Sequence, residues 1–273
     1  MRVAFRETKA RTGVLVHHKV RTMKITMLGT GTSYPDPERV QSGILVESGD
    51  DKILLDIGSG VLHRLAQLEI DLRKISSVFI SHFHVDHCSD FLTLCQSLWM
   101  TKTEKPLKVY GPPFIRDWLR GFRDTAFPYL RDLLDIQASK LSENEVIKLG
   151  ETAVSNHSTI HGTMDTRAFK IRADGKMLVF SSDTAPSQEL SRFAKNTDIL
   201  IHECNWLDGR HPHGVHTSPS ELALIVEEMA PSRVILTHLS PEVVKSRQKV
   251  VEIVGSRYST DVRLAEDLMS FDI

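Results

Sequence analysis

Cysteine is scarce. The 273-residue chain holds three, Cys88, Cys95 and Cys204, too few and too scattered for a disulfide framework. That scarcity points to a reducing setting, with the cytoplasm as the expected location. No run of about 18 apolar residues is present, so no membrane-spanning helix is expected. Neither charge sign dominates: 34 Lys+Arg against 35 Asp+Glu give a formal net charge of -1. A long polyanion is therefore not the favoured partner, although a local basic patch is compatible with this balance. A secretory signal is missing too. Residues 1–22 carry Arg2, Arg6, Lys9, Arg11, Lys19 and Arg21 against Glu7, without an apolar centre. They read as a basic N-terminal extension, either a disordered arm or the product of an early start codon, because "MKITMLGTGTSYPDP" from Met23 reads like a natural beginning. An Arg-rich transit peptide is the alternative.

The remainder, 23–273, reads as one domain. At 41% hydrophobic residues the chain can bury a full core. Its punctuation is strand, loop, helix throughout. Strands are expected at 24–29, 76–81, 151–160, 167–173, 176–181, 197–202 and 233–237, with "ADGK" as a hairpin turn. "GILVES" and "KILLDIGSG" read as paired strands, and "LKVYGPP" as a strand and turn. Helices are expected near 59–69, 89–100, 113–125, 187–195, 218–230 and 241–254. The fifth has Ser218 as N-cap, Pro219 at the first helical position and Glu221 placed for a capping box. Two such α/β halves imply layers of helix and sheet.

The densest chemistry lies in "SHFHVDHCSD", residues 81–90. His82, His84, Asp86 and His87 all bear metal-ligating atoms. In an extended segment His82 and His84 share a face and can converge on one ion, while Asp86 and His87 follow on a turn and can serve a second. Imidazole and carboxylate suit zinc, with manganese or iron as rivals. Further ligands must come from other strand ends: Asp183 in "FSSDT", His238 in "VILTHLSP", and His157 or His161 in "SNHSTIHG".

These segments, in this order, resemble the metallo-β-lactamase superfamily, and more closely its ribonuclease Z / zinc phosphodiesterase branch. "LGTGTSYPDPERVQSGILV", "KILLDIGSG", "LIHEC" and "VHTSPSELALIVEEM" add to the likeness, which covers 23–273. The resemblance implies an α/β fold, a four-layer αββα sandwich with a dinuclear metal site at the sheet edge. It implies one ion on His82, His84 and His161, a second on Asp86, His87 and His238, and Asp183 bridging them. Spacing from Gly150 favours His161 over His157 as the third histidine. The cofactor implied is a pair of Zn2+ ions, with Mn2+ or Fe possible. Homodimers are common in this branch.

Such a pair of ions lowers the pKa of a shared water toward about 7. Asp86 has two possible jobs, ligand and acceptor of that water's proton. His216 in "GVHTSPSE" is the candidate general acid for the leaving group, oriented by Glu203. Ser218 reads as a structural cap, Cys88 as a buried small hydrophobe, and Trp206 as a packing residue, with a place at the pocket mouth as the alternative. His202, His211 and His213 carry no firm role, the last two belonging to a histidine-rich lip. In the tRNA-processing members a long tRNA-gripping arm lies between the third and fourth motifs. Here only a short hairpin links His161 to Asp183. The expected activity is thus a metal-dependent hydrolase for small phosphodiesters or related anionic esters, such as a cyclic nucleotide or an arylester. The alternatives are a ribonuclease Z-type tRNA 3′-processing endonuclease lacking the arm, a lactonase, arylester or β-lactam hydrolase, and a non-catalytic metal-binding protein. A redox di-iron role is disfavoured by the same resemblance, because the oxidoreductase branch typically carries Glu at the position of Phe83 or Val85 and neither is acidic here.

Overall fold

Strands buried on both faces read as near-continuous apolar runs, and such runs build two sheets in this computed structural model, which describes residues 22–273. The first sheet takes β1 (Lys24–Gly29), β2 (Gly43–Ser48), β3 (Asp51–Leu55), β4 (Ser77–Phe79), β5 (Leu107–Gly111) and β6 (Ile136–Lys140) side by side. The second takes β7 (Val146–Leu149), β8 (Thr152–His161), β9 (Met164–Ala173), β10 (Lys176–Phe180), β11 (Ile199–Glu203), β12 (Arg233–Thr237) and β13 (Asp261–Leu264). The last strand, β14 (Ser270–Asp272), returns to the first sheet beside β1. From β3 to β6 and from β10 to β13 the pairing is parallel. Parallel strands need crossovers, and these supply the helices. The basic extension lies almost wholly outside the described residues.

The sheets face each other through one apolar layer. Ile25, Ile44, Ile53 and Phe79 of the first meet Phe169, Ile171, Leu178 and Ile201 of the second. The outer face of the first sheet is covered by α1 (Val61–Gln67), α2 (Val85–Cys88), α3 (Phe91–Met100) and α4 (Ile115–Gly121). The outer face of the second is covered by α5 (Gln188–Phe193), α6 (Pro219–Met229), α7 (Pro241–Lys245) and α8 (Arg247–Val254). The layers therefore run helix, sheet, sheet, helix. No helix among the described residues is long and apolar enough to cross a membrane.

Local chemistry accounts for most boundaries. The expected hairpin turn forms at Asp174 and Gly175, both at positive φ, as a tight type I′ turn requires. The capping box forms as Ser218 donates its backbone N–H to Glu221 at 2.9 Å. Two expected helices differ from the structure. The one over 113–125 is α4 followed by a wider turn at Phe122–Ala126. The one over 241–254 is broken at Ser246 into α7 and α8, each with its own start.

Candidate metal centre

The C-terminal ends of the parallel strands lie along one edge, where an open α/β sheet gathers its functional groups. The loop after β4 carries His82 and His84, and α2 supplies Asp86 and His87. From the second sheet, β8 ends on His161, β10 leads to Asp183 and β12 leads to His238. Three of these strands leave through a non-glycine residue at positive φ: Asp56 after β3, Ser182 after β10 and His238 after β12. Backbone of this kind is held only where its surroundings demand it, and it gathers at functional sites.

The side chains converge. His84 Nδ1 lies 3.0 Å from His82 Nε2 and 3.2 Å from His161 Nε2. His238 Nε2 lies 3.2 Å from Asp86 Oδ2. Between the two groups stands Asp183. Its Oδ2 is 3.9 Å from His82 Nε2, 3.7 Å from His161 Nε2 and 3.5 Å from His238 Nε2, and its Oδ1 is 3.5 Å from His87 Nε2. Six of the seven residues are buried, and His84 is exposed at the mouth. They border an open cleft of about 510 Å³, lined also by Ser33, Met164, Asn205 and His216.

This donor set fits metal ions. His87 Nε2 and Asp183 Oδ1 are buried, face each other, and have no hydrogen-bond partner. Buried polar atoms of that kind need a partner, and a cation supplies one to both. Burial holds the His82 imidazole well below its ordinary pKa, with His87 adding to the effect. Burial lowers His84 likewise, helped by His161. Both are thereby kept neutral, as a metal ligand must be. Burial alone favours the neutral acid at Asp183, yet His238 and His87 hold it well below the usual carboxylate range.

The comparisons with known proteins follow the same outline. The profile of the family described as Anti-Pycsar protein Apyc1 matches residues 23–254. The chain belongs to this family. Its relatives and structural neighbours together make it a metal-dependent hydrolase of the metallo-β-lactamase superfamily, in its ribonuclease Z-like branch. A ribonuclease Z of Methanosarcina acetivorans is 25% identical over 310 residues, covering 92% of this chain and 98% of that protein. The metallo-β-lactamase fold protein YhfI from Bacillus subtilis superposes with a TM-score of 0.79 at 24% identity, covering 92% of this chain and all of YhfI. The short form of human tRNase Z gives 0.73 at 21% identity, covering 91% of this chain and 98% of its own.

In this Apyc1-family chain the competing histidine, His157, points elsewhere: its Nδ1 pairs with Glu143 at 2.6 Å and its ring stacks on Phe193. His216 Nδ1 donates to Glu203 Oε1 at 2.8 Å, which leaves Nε2 toward the cleft. Burial opposes charging of His216, but the Glu203 carboxylate more than offsets it and raises the imidazole pKa above its ordinary value. Glu203 is itself buried, and it also accepts from the Thr184 and Asn205 backbone N–H groups. Trp206 stands edge-on to His216 and stacks on His211, whose Nε2 donates to the Leu207 carbonyl. His213 is exposed, while His202 is buried and donates from Nδ1 to the Glu203 carbonyl. Cys88 is buried, its thiol pushed up to about 12 by desolvation.

Sequence reasoning passed over Asp56, which is fully buried. Its Oδ2 accepts from His87 Nδ1 at 2.8 Å and from Ser81 Oγ at 2.8 Å, and Ser81 Oγ in turn meets His82 Nδ1 at 3.0 Å. One carboxylate thus fixes two imidazoles with their Nε2 lone pairs turned inward. The signal was an acid closing the apolar run "KILLD" ahead of a glycine. That glycine, Gly58, packs so tightly that a Cβ there would lie 2.1 Å from the Asp86 carbonyl oxygen. Asp56→Asn is expected to lower metal affinity about 10–100-fold with the fold intact, as measured by competition with a chelator. Unchanged affinity would remove Asp56 from this role.

Proposed function

We propose that this chain is a dinuclear zinc phosphodiesterase acting on small phosphodiesters such as cyclic nucleotides. The observation that carries the reading is the convergence of seven His and Asp side chains on one cleft, with β8, β9 and β10 joined by tight hairpins where an arm for RNA would be inserted. The 310-residue span shared with the archaeal ribonuclease Z exceeds this chain's 273, so that relative carries segments absent here. The all His/Asp donor set, without sulfur, favours a catalytic over a structural zinc site.

His82, His84 and His161 would hold one ion and Asp86, His87 and His238 the other, with Asp183 shared. When bound, two such ions supply Lewis acidity that lowers the pKa of water and offsets charge on the phosphate. The chain's own groups do the rest. Asp86, placed at the cleft and bonded to His238, can take a proton from the attacking water. His216, whose protonated form the Glu203 carboxylate favours, delivers a proton to the departing oxygen.

A second reading, tRNA 3′ processing, is favoured by the ribonuclease Z relatives. The full chain should contain close to two zinc ions by elemental analysis, cleave bis(p-nitrophenyl) phosphate and a cyclic nucleotide, and show no salt-dependent affinity for tRNA. Tight, salt-sensitive tRNA binding with precursor cleavage would transfer the weight to the second reading. Bound metal with no phosphodiester cleavage would overturn both and point to carboxyl esters or lactones.

A further inference from the structure

Beside the metal cleft lies a second cavity of about 550 Å³, lined by Phe83, Pro112, Pro113, Phe114, Met164 and Asp165. Met164 borders both cavities, so the two adjoin. Every wall residue comes from the edge that bears the metal-capable side chains. Phe83 sits between His82 and His84, Pro112 follows β5, and Met164 pairs with His161 across the β8–β9 turn.

The second cavity differs from the first in chemistry. Its wall is apolar and aromatic, with one carboxylate. Phe83 is held from behind by a stack on Trp118 at 5.1 Å, and Phe114 meets it edge-on at 6.4 Å. Pro112 and Pro113 restrict the backbone leading to Phe114. The Phe114 ring is nevertheless 60% exposed. A rigid, water-exposed aromatic surface next to a hydrolytic centre is suited to the face of a planar ring.

Asp165 marks the margin of that surface. Its Oδ1 accepts from Arg167 Nη2 at 2.9 Å, and Arg167 is buried and also bonds Glu143. The guanidinium, shared with Glu143, fixes the carboxylate and offsets part of its charge, which lessens its repulsion of an anionic substrate. Oδ2 has no protein partner among the described residues, and the side chain is 48% exposed. An ionised carboxylate accepts hydrogen bonds and donates none. It therefore favours a ring edge that carries N–H groups over one that carries none.

We propose that this shelf is the subsite for the base of the phosphodiester, and that Asp165 selects bases presenting an amino group. The assignment rests on the phosphodiesterase reading above and adds the ring and its edge to the phosphate.

The test compares 3′,5′-cyclic adenosine monophosphate with its purine riboside analogue, which has hydrogen in place of the 6-amino group and no N–H on that edge. The wild-type chain should prefer the amino form by roughly tenfold in kcat/KM, the scale of one hydrogen bond to a charged group. Asp165→Asn, whose amide can donate or accept, should bring the two within about twofold. No preference in the wild type, or a preference that survives Asp165→Asn, overturns the assignment. Should Asp165→Asn fail to fold with Arg167 left to Glu143 alone, Phe114→Ala replaces an exposed ring. It should raise KM for both nucleotides about tenfold while leaving kcat within about twofold, and an unmoved KM removes the shelf. Bis(p-nitrophenyl) phosphate, run beside them on the wild type, separates the two failures. Its cleavage with indifference to the base edge sinks the subsite alone, and its absence sinks the phosphodiesterase reading and the subsite with it.

Discussion

Asp183→Ala is expected to empty at least one metal position and abolish hydrolysis with it. Asp183 stands between the two groups of donors, within 3.9 Å of nitrogens from His82, His87, His161 and His238. Removing it leaves four imidazoles around a site that has lost its central anion. Metal content should fall from near two ions per chain to one or fewer, and bis(p-nitrophenyl) phosphate cleavage by more than about 100-fold, the upper range for groups that merely orient a ligand. Asp183→Asn, nearly equal in volume, controls for the void and should show the same loss. Retention of both ions with activity in either variant would exclude a bridging role. Without metal the buried carboxylate also balances His87, whose charging burial opposes but Asp183 and Asp56 favour strongly. The metal-free alanine variant should accordingly unfold at lower temperature than the metal-free parent.

Why one part of this centre was legible in the chain and another was not is a matter of sequence distance. His82, His84, Asp86 and His87 crowd into one loop, and ligand types at that density are rarely accidental. The partners at 161, 183 and 238 stand out less by themselves, and it was their order along the chain that linked them. The choice between His157 and His161 had no local answer. Both project from one face of β8, four residues apart, and only the tertiary neighbours Glu143 and Phe193 divert the first. Asp56 was hidden for the opposite reason. It closes a strand, and its work depends on a left-handed backbone that nothing in "LLDIG" announces.

The layers were legible because their central strands are long apolar runs. The strands passed over, β6, β7, β13 and β14, are three to five residues long and partly polar, and all four lie at the ends of the sheets. Such edges bury one face at most, so they carry little periodicity. The break between α7 and α8 at Ser246 has a similar origin. "PEVVKSRQKVVEIV" keeps its apolar spacing across the break, and only the residue that restarts the helix marks it.

His216→Ala should leave the metal content unchanged and lower kcat in proportion to how badly the leaving group needs a proton. The ring lines the cleft through an otherwise unbonded Nε2, with Nδ1 committed to Glu203. For a cyclic nucleotide the departing oxygen is an alkoxide, and the expected loss is about 10²–10⁴-fold. For bis(p-nitrophenyl) phosphate the aryl oxide leaves well unaided, and the loss should be much smaller. Equal losses on both substrates would make His216 a structural residue of the α6 approach. The pH profile supplies an independent check. A general acid works while protonated, so activity fails as pH rises through its pKa. Because the Glu203 charge raises that pKa against the effect of burial, Glu203→Gln should lower it and move the alkaline limb of kcat to lower pH. Glu203 also accepts from Thr184 and Asn205, so the variant's fold must first be verified by its unfolding temperature and metal content. With both intact, a limb that stays in place would show that the pair does not govern proton delivery, and a limb that moves down would tie the raised His216 pKa to turnover.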